Sequence, residues 1–295
     1  MKIITSIAEM KEYSSAMKRE GKTVGLVPTM GALHAGHLSL LEYARDVCDI
    51  SIMSIFVNPT QFGPAEDFAK YPRDLAKDSV LAESAGCDAV FAPSADEMYT
   101  DGYGTYVDVG PIGATLCGAA RPGHFRGVAT VVLKLFNIVS PNAAVFGAKD
   151  AQQVVVIKRV VNDLNIPVNI ITAPIIRDPD GLAMSSRNAY LTPNERKQAV
   201  NISKALFEAK TLFDNGERSA ERIKESIVSI ISGCGLIQVE YAEIVDAVSL
   251  CPLNSIDNTA LIAVACRTVE SRTRLIDNIV VFDIIKSNSF KSNSF

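Results

Sequence analysis

Several features that would place a chain in a particular class of protein are missing from these 295 residues. Tryptophan is absent, and there are only three histidines. Lys and Arg number 29 against 33 Asp and Glu, a net charge of −4, so the chain lacks the global positive field typical of nucleic-acid binders. No run approaches the roughly 18 consecutive apolar residues of a membrane span. The sequence therefore predicts neither a nucleic-acid-binding nor a membrane protein, although its net charge does not exclude a local phosphate site.

Cysteine pairs and common catalytic motifs are missing as well. The six cysteines stand singly, without a C-x-x-C pair, and the N-terminal segment lacks the apolar core of a signal peptide. We therefore expect reduced, mostly buried thiols and a cytoplasmic location. There is no G-x-x-x-x-G-K-[ST] phosphate loop, G-x-G-x-x-G motif, zinc pattern or G-x-S-x-G nucleophile turn. Without an evident nucleophile, direct transfer is favoured over a covalent enzyme intermediate.

The order of strand-like and helix-like segments predicts the fold class. Up to about residue 175, short apolar strands alternate with helical patterns, and repeated βα units form a mostly parallel sheet covered by helices. Two helices and then three strand-like runs follow, which is typical of a small α+β domain. We therefore predict an α/β domain over residues 1–175 and a smaller α+β domain over 176–285. Residues 286–295 repeat the pentapeptide Lys-Ser-Asn-Ser-Phe and are interpreted as a low-complexity tail.

The segment Pro28–His37 follows the first buried strand and opens a helix. Gly31 and Gly36 let the backbone approach a ligand closely, and we expect free N–H groups and the positive dipole at the helix N-terminus to face a phosphate. His34 and His37 can donate hydrogen bonds there, stabilising the charge that develops as pyrophosphate leaves. The alternative is an ordinary strand-to-helix turn whose histidines cap locally or bind a metal.

A second strand–turn–helix segment, Phe146–Gln153, has the same setting. Its polar side chains should gather at the carboxyl edge of the sheet, where open α/β sheets bind ligands. Lys149 can hold a phosphate as a point charge, and Asp150 can accept from ribose hydroxyls. Alternatively, Asp150 only caps its helix and Lys149 is solvated.

Polar groups in three other segments complete the set. The loop Met184–Asn188 combines two hydroxyls with a guanidinium, a donor cluster suited to phosphate, unless it is merely a solvated polar loop. Gln61 and Gln153 are neutral amides able to read a hydroxyl and a carboxylate, unless they cap strand ends. The segment Arg121–Gly127 supplies cations near the site, or else forms a surface turn. It contains His124, so all three histidines lie in turns that lead into helices.

Six motifs together resemble one family. In order and spacing they match the pantothenate synthetase (pantoate–β-alanine ligase) family, of the H-x-G-H nucleotidyltransferase superfamily shared with class I aminoacyl-tRNA synthetases. The resemblance spans about residues 3–285. The six motifs are Pro28–His37, Phe56–Phe62, Tyr71–Arg73, Arg121–Val128, Phe146–Gln153 and Met184–Asn188.

This resemblance implies a doubly wound, Rossmann-like parallel-sheet domain that binds ATP and pantoate, followed by a smaller lid domain. It also implies a two-step reaction. ATP adenylates the pantoate carboxylate with release of pyrophosphate, and the amine of β-alanine then attacks the acyl adenylate and releases AMP. The family requires Mg²⁺, held mainly by the ATP phosphates, so no protein metal ligand is assigned. It is a cytoplasmic homodimer, without nucleic-acid or membrane partners.

The resemblance also implies residue roles. The catalytic residues would be His37, the family's proton donor, together with His34, Lys149, Ser185 and Arg187. Gln61 and Gln153 would bind pantoate, and Gln61 also β-alanine. Ala148 and Ala151 depart from the family's usual acidic and aromatic residues, which affects only local packing and fine affinity. The ATP-binding residues would be Met30, Gly31, Ala32, Leu33, His34, Ala35, Gly36, His37, Gly147, Ala148, Lys149, Asp150, Ile176, Met184, Ser185, Ser186 and Arg187.

Two other functions are compatible with a phosphate site. A related adenylyltransferase would move AMP onto a phosphorylated acceptor, but such an acceptor needs more cations than the amides of Gln61 and Gln153 provide. A non-catalytic nucleotide- or RNA-binding module is disfavoured by the acidic balance and the absence of tryptophan.

Overall fold

The computed structural model describes residues 1–64 and 66–282, which form two compact units. The first unit is Met1–Ile176, and the second begins at Arg177. The predicted tail, 286–295, lies outside the described residues.

The first unit is built on a six-stranded sheet in which every strand pair is parallel. Its strands are β1 (Lys2–Ile4), β2 (Val24–Thr29), β3 (Ile50–Ile55), β4 (Ala89–Phe91), β5 (Ala143–Gly147) and β6 (Asn169–Ala173), in the order β1-β4-β3-β2-β5-β6. The central strands are apolar and almost wholly buried, as expected for a parallel sheet covered on both faces. The predicted α/β fold is thus confirmed.

The edge strand β1 was not expected from the sequence. It has only three residues, of which Ile4 is buried and Ile3 is half exposed, so it shows no usable periodicity. Its strand character comes from pairing with β4, where Ile4 lies opposite Phe91.

Helices connect these strands, and the first three begin at side-chain caps. They are α1 (Ile7–Arg19), α2 (Ala35–Val47), α3 (Leu75–Ser84), α4 (Ala95–Met98), α5 (Cys117–Ala120), α6 (His124–Val139) and α7 (Ala151–Asp163). The hydroxyl of Ser6 accepts from the Glu9 N–H at 3.2 Å, which starts α1. Helix α6 is buried beyond the single apolar face that its spacing indicates, since Ala129, Thr130 and Ile138 are also buried.

The strand order decides where a ligand can bind. Strand β2 pairs with β3 on one side and with β5 on the other. The loops that follow β2 and β5 therefore emerge side by side, at the point where the strand order reverses. Open α/β sheets bind their ligands in the crevice at such a switch point.

Over residues 177–282, the second unit contains two α-helices and an antiparallel sheet, as predicted for a small α+β fold. The elements are α8 (Pro193–Asp214), α9 (Ala220–Ser232), β7 (Ile237–Asp246), β8 (Ala260–Thr268) and β9 (Arg274–Val281), with the sheet order β7-β8-β9. Leu206, Ile223 and Ile227 from the helices share one apolar core with Ile244 and Ile262 from the sheet.

Helix α8 begins with a capping box formed by Thr192 and Glu195, and Glu195 also has a second role. Glu195 is fully buried, and its carboxylate accepts from the backbone N–H groups of Thr192 at 3.0 Å, Glu270 at 2.8 Å and Ser271 at 2.9 Å. Burial alone would raise the pKa of this carboxyl, but the hydrogen bonds from Ser271 and the other donors outweigh it and lower the pKa to about 2. The ionised side chain thus ties α8 to the β8–β9 connection.

The cysteines and the helix lengths bear on the expected reduced thiols and on the expected absence of a membrane span. All six cysteines are free thiols, and Cys48, Cys87, Cys117 and Cys266 are buried. Across residues 1–64 and 66–282, no helix combines the length and the apolar character that crossing a membrane requires.

Candidate active site

The loop after β2 has an unusual backbone shape that a buried carboxylate maintains. Gly31 and Ala32 have φ values of +81° and +51°, in the left-handed region. Asp78, on α3, accepts from the N–H of Ala32 at 2.9 Å and from that of Leu33 at 2.8 Å. Asp78 is 3% exposed. No motif in the sequence pointed to this residue.

The two histidines that follow the loop use one ring nitrogen each for local capping. His34 is the N-cap of α2, and its Nδ1 accepts from the Gly36 N–H at 3.1 Å. Nδ1 of His37 accepts from the His34 N–H at 3.4 Å, and the two ring centroids lie 4.1 Å apart. Since both Nδ1 atoms act as acceptors, the neutral rings carry their protons on Nε2.

This arrangement corrects one expectation from the sequence. The N–H groups of Ala32 and Leu33 donate to Asp78, and that of Gly36 donates to the His34 ring. The His37 N–H donates to the His34 carbonyl at 2.8 Å. The prediction of free backbone N–H groups is therefore wrong at these positions. The local-capping alternative is correct for Nδ1 of each histidine. The Nε2–H groups are then the donors that can serve a phosphate oxygen.

The charge of Lys149, on the loop after β5, acts on His37, on the helix that follows β2. Burial, the His34 ring and then the Lys149 charge lower the pKa of His37 from 6.5 to about 3. His37 is therefore neutral near pH 7, where its Nε2–H donates a hydrogen bond without a positive charge. The loops after β2 and β5 thus place His34, His37 and Lys149 together at the switch point, as the sequence analysis expects.

The second loop itself is a short turn. Residues Ala148–Asp150 form one 3₁₀ turn before α7, and Lys149 is half-buried rather than fully solvated. Asp150 occupies the N-cap position of α7, but its side chain makes no capping hydrogen bond. Its carboxylate is exposed, so the capping alternative does not account for it.

Gln61 is held in one orientation by Asn58. Asn58 is 1% exposed; its Oδ1 accepts from the Thr60 N–H at 3.3 Å, and its Nδ2 donates to the Gly127 carbonyl at 3.2 Å. These two backbone partners determine which end of the Asn58 amide carries the nitrogen. Nδ2 also donates to Gln61 Oε1 at 3.0 Å, so Gln61 directs its Nε2 towards Met30 Sδ, 3.1 Å away. Gln61 therefore presents a donor.

The backbone of Gln61 is braced by Arg121 and His124. The Arg121 guanidinium forms two hydrogen bonds of 2.6 Å with the carboxylate of Glu66, and its Nη1 lies 3.0 Å from His124 Nε2. Because a guanidinium can only donate, His124 Nε2 accepts and its Nδ1–H donates to the Gln61 carbonyl at 2.9 Å. Burial and the Arg121 charge lower the pKa of His124 to about 4. The segment is therefore not a simple surface turn, and the cation of Arg121 is already paired.

The adjacent glutamines of α7 differ in their surroundings. Gln152 is 5% exposed; its Nε2 donates to the carbonyls of Ile112 and Thr115 at 3.1 and 2.8 Å, and its Oε1 accepts from the Cys117 N–H at 3.0 Å. It thus connects α7 to the segment before α5. Gln153, the residue chosen from the sequence, is half-buried on the first turn of α7.

The remaining predicted ATP residues lie at and beyond the end of the first unit. Ile176 is its last residue and is half-buried. The loop from Met184 to Arg187 belongs to the second unit, where Ser185 caps a 3₁₀ turn (Ser186–Tyr190) and accepts from the Arg187 N–H at 3.3 Å. All four loop residues are half-buried, so the segment is not fully solvated.

Strand order and switch-point loops together define an α/β protein of the Rossmann-like class. Comparison with known proteins narrows the class. The Pantoate-beta-alanine ligase family model matches residues 2–280. Pantothenate synthetases from Heliobacterium modesticaldum and Geobacter sulfurreducens are 54% and 53% identical over 281 residues, 95% of this chain and 99% of each relative.

Solved structures agree with these matches. The crystal structure of pantothenate synthetase from Thermus thermophilus has a TM-score of 0.90 and 43% identity, covering 96% of this chain and all of that one. Pantoate-beta-alanine ligase from Francisella tularensis, complexed with Beta-gamma ATP and Beta-alanine, has a TM-score of 0.77 and 35% identity, covering 95% and 97%. The chain belongs to the pantoate–β-alanine ligase family, and it is a ligase.

Proposed function

We propose that this ligase condenses pantoate with β-alanine to pantothenate, using ATP and a pantoyl-adenylate intermediate. One observation carries the proposal: the neutral His37 lies at the switch point beside the His34 ring and within reach of the Lys149 charge. The oriented donor of Gln61 follows the neighbouring strand β3 and points towards Met30, on the loop that leads to these histidines. This set suits a polyphosphate next to a carboxylate substrate. The nucleotide and β-alanine bound to the Francisella relative have the same chemistry.

In the first step, a carboxylate oxygen of pantoate attacks the α-phosphorus of ATP. The bond from that phosphorus to the bridging oxygen breaks, and pyrophosphate leaves with the electron pair. Negative charge grows on the leaving oxygens, and donors already in place stabilise it best. With a pKa of about 3, His37 acts as a neutral hydrogen-bond donor through Nε2–H, and Lys149 supplies the positive charge.

In the second step, the amine nitrogen of β-alanine attacks the acyl carbon of the adenylate. The bond to the AMP oxygen breaks, AMP leaves, and the amine loses a proton. A free carboxylate resists this attack because its leaving group would be oxide, whereas AMP is a good leaving group. Water must be kept from the mixed anhydride during this step. The Nε2–H group of Gln61 holds an acceptor oxygen of the substrate.

The full set of roles follows the family assignments. Gln61 and Gln153 bind pantoate, Gln61 also contacts β-alanine, and Ser185 and Arg187 contact the phosphates. The domain over 1–175 binds ATP and pantoate, and the domain over 176–285 acts as the lid. ATP is held by Met30, Gly31, Ala32, Leu33, His34, Ala35, Gly36, His37, Gly147, Ala148, Lys149, Asp150, Ile176, Met184, Ser185, Ser186 and Arg187.

The metal, the oligomeric state and the location belong to the same proposal. The imidazole and ammonium donors of the site suit phosphate oxygens, which fits Mg²⁺ entering on ATP, its usual mode of binding at such sites. That complex would be held through its phosphates by His34, His37 and Lys149. Mg²⁺ would neutralise part of the negative charge of the phosphates. The protein is proposed to be a cytoplasmic homodimer.

The competing adenylyl transfer onto a phosphorylated acceptor is less well supported. Such an acceptor needs a cation beside Gln61. Arg121 is the guanidinium that bonds to the Gln61 carbonyl, at 3.3 Å, and its charge is already paired with Glu66.

Pantoate-dependent exchange of pyrophosphate into ATP tests the substrate and the first step together. We expect exchange with pantoate, none without it, and pantothenate once β-alanine is added. His37→Ala should abolish exchange while leaving the thermal midpoint nearly unchanged. Ser39→Ala is the matched control, since Ser39 lies two residues further along the same helix and, among the described residues, its hydroxyl donates to the Gly36 carbonyl. Exchange that ignores pantoate, or its absence from the wild-type protein, would refute the proposal.

A further inference from the structure

Asp78 stands outside every motif that the sequence analysis singled out, yet its carboxylate has an unusual position. It projects from α3 to the loop after β2, and each of its two oxygens accepts one backbone N–H, from Ala32 and Leu33. Lying 46 and 45 residues away in the chain, these partners do not belong to a local turn. The side chain is 3% exposed.

Burying a carboxylate is costly unless hydrogen bonds satisfy it, so its partners indicate what the charge is for. Here both partners are backbone groups of one loop, in a shape that the chain does not favour by itself. Ala32, at φ +51°, occupies the left-handed region, which an L-residue disfavours. A Cβ at Gly31 would lie 2.8 Å from Asp78 Oδ2, so glycine is required for the carboxylate to come this close.

The loop shape decides where the histidines lie. Leu33 directly precedes His34, whose ring caps α2 and whose N–H bonds to the His37 ring. Rotating the Ala32 and Leu33 peptides would therefore displace both imidazoles. We propose that Asp78 is a positioning residue for nucleotide binding: it holds the loop so that His34 and His37 meet the phosphates. This inference rests on the function proposed above for that loop.

Charge repulsion alone and a positioning role predict opposite changes in ATP affinity when Asp78 is neutralised, so one measurement distinguishes them. A buried negative charge near a polyanion repels it, so neutralising Asp78 should tighten ATP binding if the carboxylate were only a neighbour. If it positions the loop, neutralising it should weaken binding, because an amide oxygen can accept while the amide nitrogen cannot.

Asp78→Asn is the decisive variant, because it keeps the size and one acceptor. We expect the KM for ATP in pantoate-dependent exchange to rise about tenfold, the effect of losing one charge-assisted hydrogen bond. Isothermal titration with ATP alone should show the same loss. Asp74→Asn is the matched control: Asp74 caps the same helix, accepts from the Lys77 N–H at 3.0 Å, and is exposed.

The outcomes separate the two proposals. Unchanged or tighter ATP binding in Asp78→Asn, or a lower thermal midpoint with unchanged KM, would overturn the positioning role. If that variant does not fold, Asp78→Ser, which also keeps one acceptor without the charge, carries the same expectation. Wild-type protein without pantoate-dependent exchange would instead overturn the proposed function itself.

Discussion

The protonation of His37 and His124 is open to a direct measurement, since the chain has only three histidines. Their pKa values are lowered from 6.5 to about 3 and about 4, first by burial and then by neighbouring rings and cations. Three imidazole signals in a ¹H–¹³C spectrum can be assigned with single variants. We expect the His37 and His124 signals to stay constant between pH 8 and pH 5.5.

Acid should destabilise the first unit through these two rings. A histidine whose pKa is lower in the folded than in the unfolded state binds fewer protons when folded, so protons favour unfolding. The stability is complete above pH 6.5 and is lost as the pH falls towards the folded pKa. At pH 5 an unfolded imidazole is almost fully protonated while His37 and His124 are not, a difference of about 2 kcal/mol for each ring.

Urea unfolding of the wild type at pH 7 and pH 5 measures this loss, which should total about 4 kcal/mol. His124→Asn should reduce the loss by about 2 kcal/mol, because it removes one of the two rings. His37 signals that titrate near pH 6.5 would refute the reasoning, as would a His124→Asn variant with an undiminished acid loss. ATP provides a further check: its negative charge should raise the pKa of His37.

Three other substitutions test particular contacts. Glu195→Gln should destabilise the second unit by about 2 kcal/mol at pH 7 in urea unfolding. Since the wild-type pKa is about 2, the difference in unfolding free energy between the two proteins should shrink as the pH falls below 4.5. An equal difference at pH 3 would contradict this. Gly127→Ala places a Cβ in steric conflict with the Thr60 carbonyl beside Gln61, and should raise the KM for pantoate at least about tenfold. Gly235→Ala is the control and should leave this KM unchanged, because the space around Gly235 is open. Tyr99→Phe removes the hydroxyl that donates to Asn58 at 2.7 Å, and should raise the same KM about threefold while Tyr103→Phe leaves it unchanged.

Sequence reasoning succeeded where the signal was local. The patterns Ser-x-x-Glu at Ser6 and Thr-x-x-Glu at Thr192 are local signals for a helix start, and both residues cap helices in the structure. The βα alternation predicted the parallel sheet because buried parallel strands are short apolar runs between amphipathic helices. It also placed His37 and Lys149 at one sheet edge, since carboxyl ends of neighbouring parallel strands lie together.

The same reasoning failed where a residue's role depends on a distant partner. Glu66 resembles any solvated acid in a polar loop, yet it neutralises Arg121, 55 residues further along the chain. The strand at Lys2–Ile4 has no period of its own and exists because β4 offers an edge. The helix N-terminus after β2 was expected to offer free N–H groups, but the His34 ring accepts from Gly36 there, and Asp78 accepts from Ala32 and Leu33 in the loop before it.

The sequence by itself therefore determined most of the order of elements, the loops proposed to carry the chemistry, and the family. Those properties follow from side-chain periodicity, local capping and spaced motifs, which are all read along the chain. Only the tertiary structure decided how the groups are held: that His37 is neutral, that Gln61 presents a nitrogen, and that Asp78 accepts two N–H groups of the loop after β2. Protonation and amide orientation depend on burial and on partners brought close by folding, and no local pattern encodes them.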